Sequence, residues 1–278
     1  MTAVLLDGKK LKEELLLGLE QKVKEKGLKP VLGTILVGGN ESSRLYVRLK
    51  EQACKQVGGE FILKELPETA STKNIVDAIN EFNENERVTG ILLQLPLPKG
   101  VSYFECLKAI SPEKDVDGLN PLNIGGLLQG ESRFTAATAK GIIVLLKHYG
   151  IELRGTNALV IGRSSDVGIP VAAALLKEDA TVTIAHSKTR NLKELCLKSD
   201  IVVSSTSRPG LINAGMIKPG AVVVDVGISF QDGKVVGNVS LDVAGVAGFL
   251  TPVPGGVGPM TIASLMQNLV ESSEGARV

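Results

Sequence analysis

Hydrophobic positions in the first half of the chain alternate between a helical spacing and short continuous runs. Leucines recur among charged residues over 9–26, and Gly27 ends this pattern, which predicts a helix. The apolar run over 31–37, closed by two glycines, predicts a buried strand. Both patterns repeat, predicting helices over 43–57 and 72–83 and strands over 61–66 and 88–95. Near-continuous apolar strands that alternate with helices indicate a parallel sheet with helices on both faces.

The second half repeats the alternation after a turn-rich stretch over 111–133, which is typical of functional or connecting segments. The sequence predicts helices over 138–149 and 259–274, strands over 157–161, 180–185, 200–204 and 221–226, and a hairpin edge over 234–237. The predicted fold class is therefore α/β, with an N-terminal parallel-sheet domain over 1–137 and a Rossmann-type dinucleotide-binding domain over 138–259.

A strand, a glycine turn and a helix follow one another in the segment NALVIGRSSDVGIPVAAALLK. Gly162 ends the strand and Gly168 opens the helix, a spacing similar to an incomplete dinucleotide-binding fingerprint. Such a turn offers backbone N–H groups and the positive end of the helix dipole to a pyrophosphate, and Ser164 and Ser165 can add hydroxyl groups. The alternative is that the two glycines only pack the strand against the helix.

The next strand, TVTIAHS, ends without the acidic residue that normally accepts a hydrogen bond from the ribose of NAD. The region instead holds three cations and a hydroxyl, at Arg163, Ser187, Lys188 and Arg190. Such a cluster suits a 2′-phosphate, so the sequence predicts NADP in preference to NAD. The alternative is that these residues are simply solvated.

Two segments of the first half contain candidates for chemistry. Tyr46 and Lys50 are four positions apart on a predicted helix and share a face. Taken alone, an ordinary amphipathic helix with Lys50 in water explains them better. Gln94 ends an otherwise apolar strand, where polar groups border the ligand crevice of open α/β sheets. The alternative for Gln94 is a satisfied buried amide.

Two turn-rich segments are open to a structural and a functional interpretation. KDVDGLN places Asp115 and Asp117 beside Gly118, and Asp-Gly is a plain turn signal. We interpret Asp115 as a turn residue, whereas a turn and a binding role explain Asp117 equally well. The closing segment TPVPGGVGPMT combines stiff prolines with glycines that permit close ligand approach, and it could equally be a rigid turn into the last helix.

Composition narrows the classes of function. The net charge of +1 gives no general reason to expect nucleic acid or an anionic membrane as a partner. The 3 cysteines and 2 histidines lack the spacing of a disulfide framework or a metal site, so no metal is expected. The apolar run at the N-terminus is too short for a signal peptide, and no stretch approaches the ~20 residues that span a bilayer. The expected location is therefore the cytoplasm.

Several segments, taken together and in order, identify a family: LLDGK, VGGN with SSRLYVRLK, GILLQLPLP, PEKDVDGLNPLNIGG, VIGRSSDVGIP, ATVTIAHSKTRNL and TPVPGGVGPMT. They resemble the bifunctional methylenetetrahydrofolate dehydrogenase/methenyltetrahydrofolate cyclohydrolase family over nearly the whole chain. The resemblance implies NADP-dependent oxidation of 5,10-methylenetetrahydrofolate and hydrolysis of the methenyl product to 10-formyltetrahydrofolate. It also implies a folate pocket in a cleft between the two domains and a homodimer. Separately, we expect the last helix, over 260–276, to pack back on the folate-binding first domain.

The resemblance assigns roles to residues that match the family's motifs. Lys50 matches the catalytic lysine, and Gln94 matches the glutamine that hydrogen-bonds it. Asp117 matches the aspartate that holds the pterin, and Tyr46 the tyrosine that lines the pocket. The other substrate-binding matches are Ser43, Leu93, Leu95, Pro254, Gly255 and Gly258. The cofactor-binding matches are Gly162, Arg163, Ser164, Ser187 and Ile228.

The sequence departs from the family in two places. It reads Ala136-Ala137-Thr138-Ala139 where the family usually has Pro-Cys-Thr-Pro, which predicts a less rigid linker. It reads Gly-Asn-Val-Ser over 237–240 where the family often has Gly-Asp-Val-Asp. Two other functions stay open. One is a dehydrogenase without effective cyclohydrolase activity, against which Lys50 and Gln94 argue. The other is a dinucleotide-binding regulatory or scaffold protein that has lost turnover, which only the altered linker supports.

Overall fold

The structure of the protein, a computed structural model, describes residues 2–39, 41–227, 229–231 and 234–275. Its strands are β1 (Val4–Leu5), β2 (Val31–Val37), β3 (Glu60–Leu66), β4 (Gly90–Leu93), β5 (Asn157–Ile161), β6 (Thr181–Ala185), β7 (Ile201–Ser204), β8 (Val222–Asp225), β9 (Ser229–Gln231), β10 (Lys234–Val236) and β11 (Phe249–Leu250). Its α-helices are α1 (Gly8–Lys26), α2 (Glu41–Gln56), α3 (Thr72–Glu84), α4 (Tyr103–Ala109), α5 (Pro121–Gln129), α6 (Ala137–His148), α7 (Gly168–Lys177), α8 (Leu192–Lys198) and α9 (Val257–Gly275).

The chain divides into two compact units. The six-stranded unit comprises Met1–Lys12 and Thr138–Thr261, and the three-stranded unit comprises Glu13–Ala137 and Ile262–Val278. The start of the chain groups with the second half because β1 pairs in parallel with β11. Two-residue strands are too short for periodicity to reveal, so the sequence did not predict them. As functional domains, the limits 1–137 and 138–259 stay a prediction.

The three-stranded unit is built on a parallel sheet of order β3-β2-β4. Every residue of the central strand β2 is buried, as its uninterrupted apolar pattern predicted. Gly33 leaves room for the ring of Phe82 on α3, because a Cβ at this position would come within 2.9 Å of that ring. The core continues through the buried side chains of Leu16, Leu92, Leu265 and Leu269.

Helix α9 also holds the segment that follows β4 by polar contacts. Asn268 Nδ2 donates hydrogen bonds to the carbonyl oxygens of Val116 (2.9 Å) and Thr135 (3.0 Å). Ser272 Oγ donates to the carbonyl oxygen of Glu113 at 3.0 Å. Since these bonds fix the backbone immediately before Asp117, they help to position a predicted site residue.

The six-stranded unit contains a parallel sheet of order β1-β11-β8-β7-β5-β6. β6 lies on one side of β5 and β7 on the other, so the strand order reverses at β5. In open α/β sheets ligands bind at the carboxyl ends of the strands beside such a reversal. β9 and β10 form a separate antiparallel pair, which corresponds to the hairpin edge predicted over 234–237.

The turn-rich stretch over 111–133 contains a helix, α5, that the sequence did not predict. The side chain of Asn120 caps this helix by accepting from the N–H of Leu122, and Pro121 occupies the first turn. Gly130 ends the helix in the left-handed conformation, with φ 83°. These start and stop signals were present in the sequence, but the glycines inside the helix favoured a turn. The seven-residue helices α4 and α8 were also not predicted.

Candidate active site

Helix α2 and the end of β4 bring the predicted catalytic lysine and glutamine together. Lys50 Nζ donates a hydrogen bond to Gln94 Oε1 at 2.9 Å, and Gln94 Nε2 donates to the carbonyl oxygen of Leu95 at 2.7 Å. Because both ends of the amide have partners, Gln94 is held in one orientation and presents its oxygen to the lysine. The alternative of a solvated Lys50 on an ordinary amphipathic helix is wrong.

The other predicted substrate residues of this unit lie on the same two elements. On α2, Ser43 is buried and Tyr46 is half-buried, and their spacing places them on the same face as Lys50. Leu93 is buried at the end of β4, and Leu95 is partly buried. A cavity of about 420 Å³ opens beside them, lined by residues that include Ser43 and the segment 96–98. Of the predicted substrate residues on these two elements, Ser43 lines this cavity, whereas Tyr46 and Lys50 are not among its lining residues.

Burial dominates the electrostatics of the lysine. It lowers the pKa of Lys50, because an ammonium loses hydration there, and the nearby carboxylate of Asp117 opposes that shift. Burial also raises the pKa of the Tyr46 hydroxyl. Lys50 therefore reaches its neutral form more easily than a lysine in water does, as a proton-transfer group at neutral pH requires.

The KDVDG segment contains a buried carboxylate that the sequence did not single out. Asp115 is 1% exposed, and burial raises its pKa to about 6. Its Oδ2 accepts hydrogen bonds from the backbone N–H of Asn120 at 2.7 Å and from Asn123 Nδ2 at 2.8 Å. The predicted turn is present, since the N–H of Gly118 donates to the carbonyl oxygen of Asp115 at 2.9 Å. Interpreting Asp115 as only a turn residue is incomplete, because a dipeptide signal says nothing about burial.

A second cavity, of about 440 Å³, lies at the carboxyl ends of β5, β6 and β7 in the six-stranded unit. Its lining includes four predicted cofactor residues, Gly162, Arg163, Ser164 and Ser187. It also includes residues that sequence reasoning missed, namely His186, Thr189, Ser205, Thr206, Ser207 and Arg208. The hydroxyl-rich run after β7 could have been found in the sequence. Like Gln94, it consists of polar residues at the carboxyl end of a strand.

The two glycines of the turn both pack tightly and shape this cavity. Gly162 has φ 126°, and a Cβ there would lie 2.4 Å from the carbonyl oxygen of Ser205. A Cβ at Gly168 would lie 2.3 Å from the carbonyl oxygen of Gly162. Ser164 Oγ accepts from the N–H of Gly168 at 3.3 Å, at the start of α7. The packing interpretation therefore holds, and the turn that it fixes also forms a wall of the cavity.

The cations predicted to meet a 2′-phosphate do not all lie at the cavity. Arg163 lines it, whereas Lys188 and Arg190 are exposed and are not among the lining residues. Arg208, after β7, lines it instead. In the part of the chain that the structure describes, neither Arg163 nor Arg208 forms an ion pair. Ile228, the remaining predicted cofactor contact, lies outside the described residues.

The closing glycine- and proline-rich segment lies in the six-stranded unit, unlike the other predicted substrate residues. Pro254 is exposed, and the carbonyl oxygen of Gly255 accepts from the N–H of Lys9 at 2.9 Å. Gly258 lies in the first turn of α9 with open space around it. The segment is therefore a fixed turn into the last helix, and its contact with substrate stays a prediction.

Family models match both halves of the chain. The model for the catalytic domain of tetrahydrofolate dehydrogenase/cyclohydrolase matches residues 6–117, and the model for its NAD(P)-binding domain matches residues 136–277. This chain belongs to the tetrahydrofolate dehydrogenase/cyclohydrolase family. The family identified from the ordered motifs is thereby confirmed.

Individual members of the family are similar over the whole length. The bifunctional protein FolD of Methanospirillum hungatei is 49% identical over 269 residues, covering 96% of each chain. That of Bacillus mycoides is 46% identical, covering 100% of this chain and 99% of the relative. The crystal structure of FolD from Campylobacter jejuni matches with a TM-score of 0.95 at 40% identity, covering 98% of this chain and 99% of that one. The Trypanosoma brucei enzyme complexed with NADP and an inhibitor matches with a TM-score of 0.94 at 36% identity, covering 100% of both chains. The predicted fold class is confirmed.

The structure accounts for part of one departure from the family. The backbone N–H of Asn238 donates to Asp225 Oδ1 at 3.0 Å, and Asn238 Nδ2 donates to the carbonyl oxygen of Ser204 at 3.3 Å. An ionised carboxylate at position 238 could not donate to the carbonyl oxygen of Ser204, whereas the amide does. Nothing in the structure explains Ser240.

The altered linker lies in packed surroundings. Ala136, Ala137 and Ala139 are each 1% exposed, and α6 begins at Ala137. Small side chains therefore suit this segment, and its reduced rigidity stays a prediction.

Neither a metal centre nor a membrane span is found among the described residues. No three His, Cys, Asp or Glu side chains in those ranges lie together as a group that could hold a metal ion. No helix in the same ranges is both long and apolar enough to cross a bilayer.

Proposed function

We propose that this chain oxidises 5,10-methylenetetrahydrofolate with NADP and hydrolyses the 5,10-methenyl product to 10-formyltetrahydrofolate, with Lys50 as the proton-transfer group. The observation that carries the proposal is the 2.9 Å hydrogen bond from Lys50 Nζ to Gln94 Oε1, made by a lysine whose pKa burial lowers. Membership of the family, through both its catalytic and its NAD(P)-binding models, supports both reactions.

The cavity at β5, β6 and β7 suits NADP. The turn at Gly162 is packed against Ser205, and the start of α7 that follows it offers backbone N–H groups to a pyrophosphate. Arg163, Ser187 and Arg208 supply two cations and a hydroxyl for a 2′-phosphate. When bound, NADP supplies the hydride acceptor of the dehydrogenase step. The NADP complex of the similar Trypanosoma brucei enzyme supports this choice.

The dehydrogenase step places modest demands on the protein's acid–base groups. The carbon that loses hydride becomes a methenyl cation that two neighbouring nitrogens stabilise, so alignment matters more than a strong base. In the proposal Asp117 holds the pterin and Tyr46 packs against the folate. Ser43, Leu93 and Leu95 complete the pocket wall in the three-stranded unit.

The cyclohydrolase step requires protons to move near one carbon. Water adds to the methenyl carbon and loses a proton, which leaves a hydroxyl group on that carbon. The bond from the carbon to one ring nitrogen then breaks as the nitrogen gains a proton, and the hydroxyl releases its proton to solvent as it becomes the formyl oxygen. Neutral Lys50 accepts the proton from water, and its ammonium form returns a proton to the leaving nitrogen. Gln94 fixes Lys50 Nζ for both transfers.

Replacing Lys50 with Met tests the proposal. General acid–base groups typically contribute about 10²- to 10⁴-fold, so we expect a cyclohydrolase loss of this size. The assay follows hydrolysis of methenyltetrahydrofolate separately from formation of reduced NADP. Arg48→Met is the matched control, because Arg48 is an exposed residue of the same helix. Full cyclohydrolase activity in the Lys50→Met variant would remove Lys50 from the mechanism.

The proposal includes a homodimer, as the family resemblance implies, and action in the cytoplasm. The free edge of β6 supports the dimer, because Ile184 on this strand is 39% exposed and apolar edge strands are usually covered. Sedimentation at assay concentrations tests it, and a monomeric mass there would remove the dimer from the proposal.

A further inference from the structure

The buried carboxylate of Asp115 touches neither Lys50 nor Gln94 by any described hydrogen bond, yet it lies two residues before Asp117. We propose that Asp115 is a positioning residue: by holding the turn that follows it closed, its carboxylate keeps Asp117 beside Lys50. The inference rests on the proton-transfer role proposed above for Lys50.

The stretch that carries both aspartates is aligned with β4, the strand that leads to Gln94. Asp115 forms a parallel β-bridge with Ile91, and the N–H of Ile91 donates to the carbonyl oxygen of Lys114 at 2.6 Å. The pairing stops at Asp115, because the chain turns there and the N–H of Gly118 donates to the carbonyl oxygen of Asp115. Strand β4 therefore fixes the backbone at the start of the turn that carries Asp117, and Gln94 follows the same strand.

Lys114 anchors the start of this stretch. Its Nζ donates to the carbonyl oxygens of Phe82 (3.1 Å), Asn83 (2.7 Å) and Asn85 (2.9 Å) at the carboxyl end of α3. Three donors on one ammonium match three carbonyl groups that a helix end leaves without helical partners. The segment is thus fixed on the side that precedes Asp115.

The Asp115 carboxylate closes the turn on the other side. Its Oδ2 joins the backbone of Asn120 to the side chain of Asn123. Asn120 Nδ2 in turn donates to the carbonyl oxygens of Leu107 (3.2 Å) and Ile110 (2.8 Å). Asp115 Oδ1 is buried without a hydrogen-bond partner. A buried carboxylate with one oxygen that lacks a partner costs stability, while its other oxygen holds the turn.

The turn leaves the backbone around Asp117 little freedom. The carbonyl oxygen of Asp117 accepts from the N–H of Ala137 at 3.0 Å. Gly118 has φ 71°, and a Cβ there would lie 2.7 Å from the backbone nitrogen of Ala136. Without the Asp115 carboxylate, the turn loses the bonds that tie its first residue to Asn120 and Asn123, and Asp117 shifts relative to Lys50 although its contact with Ala137 remains.

The expected consequence has a definite sign. The carboxylate of Asp117 raises the pKa of Lys50 against the effect of burial. If Asp117 moves away, that support is lost, and the pKa of Lys50 falls. The pH at which Lys50 gains its proton then moves toward acid, whichever direction the proton takes in the rate-limiting step.

The test measures the protonation of Lys50 directly, as the rate at which an amine-selective reagent modifies it between pH 6 and pH 11, read by peptide mass spectrometry. Asp115→Ala removes the carboxylate. Asp115→Asn keeps one oxygen that can accept from both Asn120 and Asn123. The same measurement on Asp117→Asn and on the double variant Asp115→Ala/Asp117→Asn shows whether Asp115 acts through Asp117. Cyclohydrolase rates, corrected for spontaneous hydrolysis, are followed in parallel.

We expect Asp115→Ala to shift the titration of Lys50 toward acid by at least about half a pH unit and to lower the cyclohydrolase kcat at least about tenfold. Asp115→Asn should restore both, and Asp115→Ala should add no shift in the Asp117→Asn background. Should Asp115→Ala fail to fold, Asn123→Ala removes one of the two donors and should give a smaller shift of the same sign.

An unshifted Lys50 titration in Asp115→Ala, or in Asn123→Ala where it serves as the substitute, would overturn the inference. An equal shift with and without Asp117 would do the same. The Lys50→Met variant separates the two proposals. If that variant loses cyclohydrolase activity while Asp115→Ala resembles the wild type, only the role of Asp115 fails. If it keeps the activity, the proposed function fails first.

Discussion

The lysine site of the three-stranded unit and the cavity of the six-stranded unit are built on opposite principles. Lys50 and Gln94 are already hydrogen-bonded to each other, and Gln94 is buried. Arg163 and Arg208 at the cavity are exposed and form no ion pair within the described ranges. The first site is organised by the protein itself, whereas the second keeps its charges in water until an anion binds.

The chemistry of each site explains the difference. A proton-transfer group needs a shifted pKa and a fixed position, and burial with a hydrogen-bonded neighbour provides both before substrate arrives. A dinucleotide site must release its ligand, so its cations need to remain accessible.

The largest expected effect is on the pH dependence of the free energy of unfolding, through Asp115 near the lysine site. The pKa of Asp115 is raised from 3.8 to about 6 in the folded state. The folded protein therefore holds this proton more tightly, and the resulting stability is present below the unfolded pKa and lost as pH rises through the folded pKa. Asp115→Asn should remove that loss, which is at most about 3 kcal/mol between pH 4 and pH 7.

Urea unfolding of both proteins at pH 4 and pH 7 checks this prediction. The quantity to compare is the change in their stability difference between the two pH values. Lys188→Ala replaces an exposed residue of the six-stranded unit, and its stability difference from the wild type should be the same at both pH values. If the wild type and Asp115→Asn differed in stability by the same amount at pH 4 and pH 7, the Asp115 carboxylate would not be buried as described.

The next effect concerns the glycine turn of the cavity. Gly162→Ala should lower dehydrogenase activity by about a hundredfold, because the new Cβ would displace Ser205 and the turn. Cyclohydrolase activity should change little. Gly155→Ala is the control, since Gly155 also has a positive φ, 73°, but has open space around it. Equal losses of both activities would show that the two sites are not separately organised.

A third prediction addresses the partner of the lysine. Gln94→Glu places a carboxylate where an amide oxygen now lies 2.9 Å from Lys50 Nζ. An adjacent anion favours the ammonium form, so the pKa of Lys50 should rise by about 1 unit or more. The limb of the cyclohydrolase pH profile that belongs to Lys50 should move to higher pH, and the profile of the dehydrogenase should not. A limb that stays in place would contradict the contact.

The smallest effect tests the accessible cations. Arg208→Ala should lower kcat/KM for NADP by about fivefold, in the range of a single exposed charge-assisted contact, and leave kcat/KM for NAD unchanged. Lys188→Ala should leave both unchanged, because Lys188 does not line the cavity. If kcat/KM for NADP fell more in Lys188→Ala than in Arg208→Ala, Lys188 would bind the 2′-phosphate as the sequence predicted.

The sequence predicted the elements whose patterns are long or strong. The apolar runs that became β2 and β5 and the glycine-closed helix α1 were predicted within one residue. Lys50, Gln94 and Asp117 were identified because they match ordered motifs. The sequence did not predict α5, because its internal glycines favour a turn. It also did not predict β1, a two-residue strand that pairs with β11.

By itself, the sequence determined the family, the alternation of strand and helix, and the identity of the lysine, the glutamine and the glycine turn. Only the tertiary structure decided that Lys50 is hydrogen-bonded to Gln94, that Arg208 and not Lys188 lines the cavity, and that Asp115 is a buried carboxylate. The reason is physical: burial and charge depend on what packs against a side chain. Those neighbours come from distant parts of the chain that no local pattern brings together.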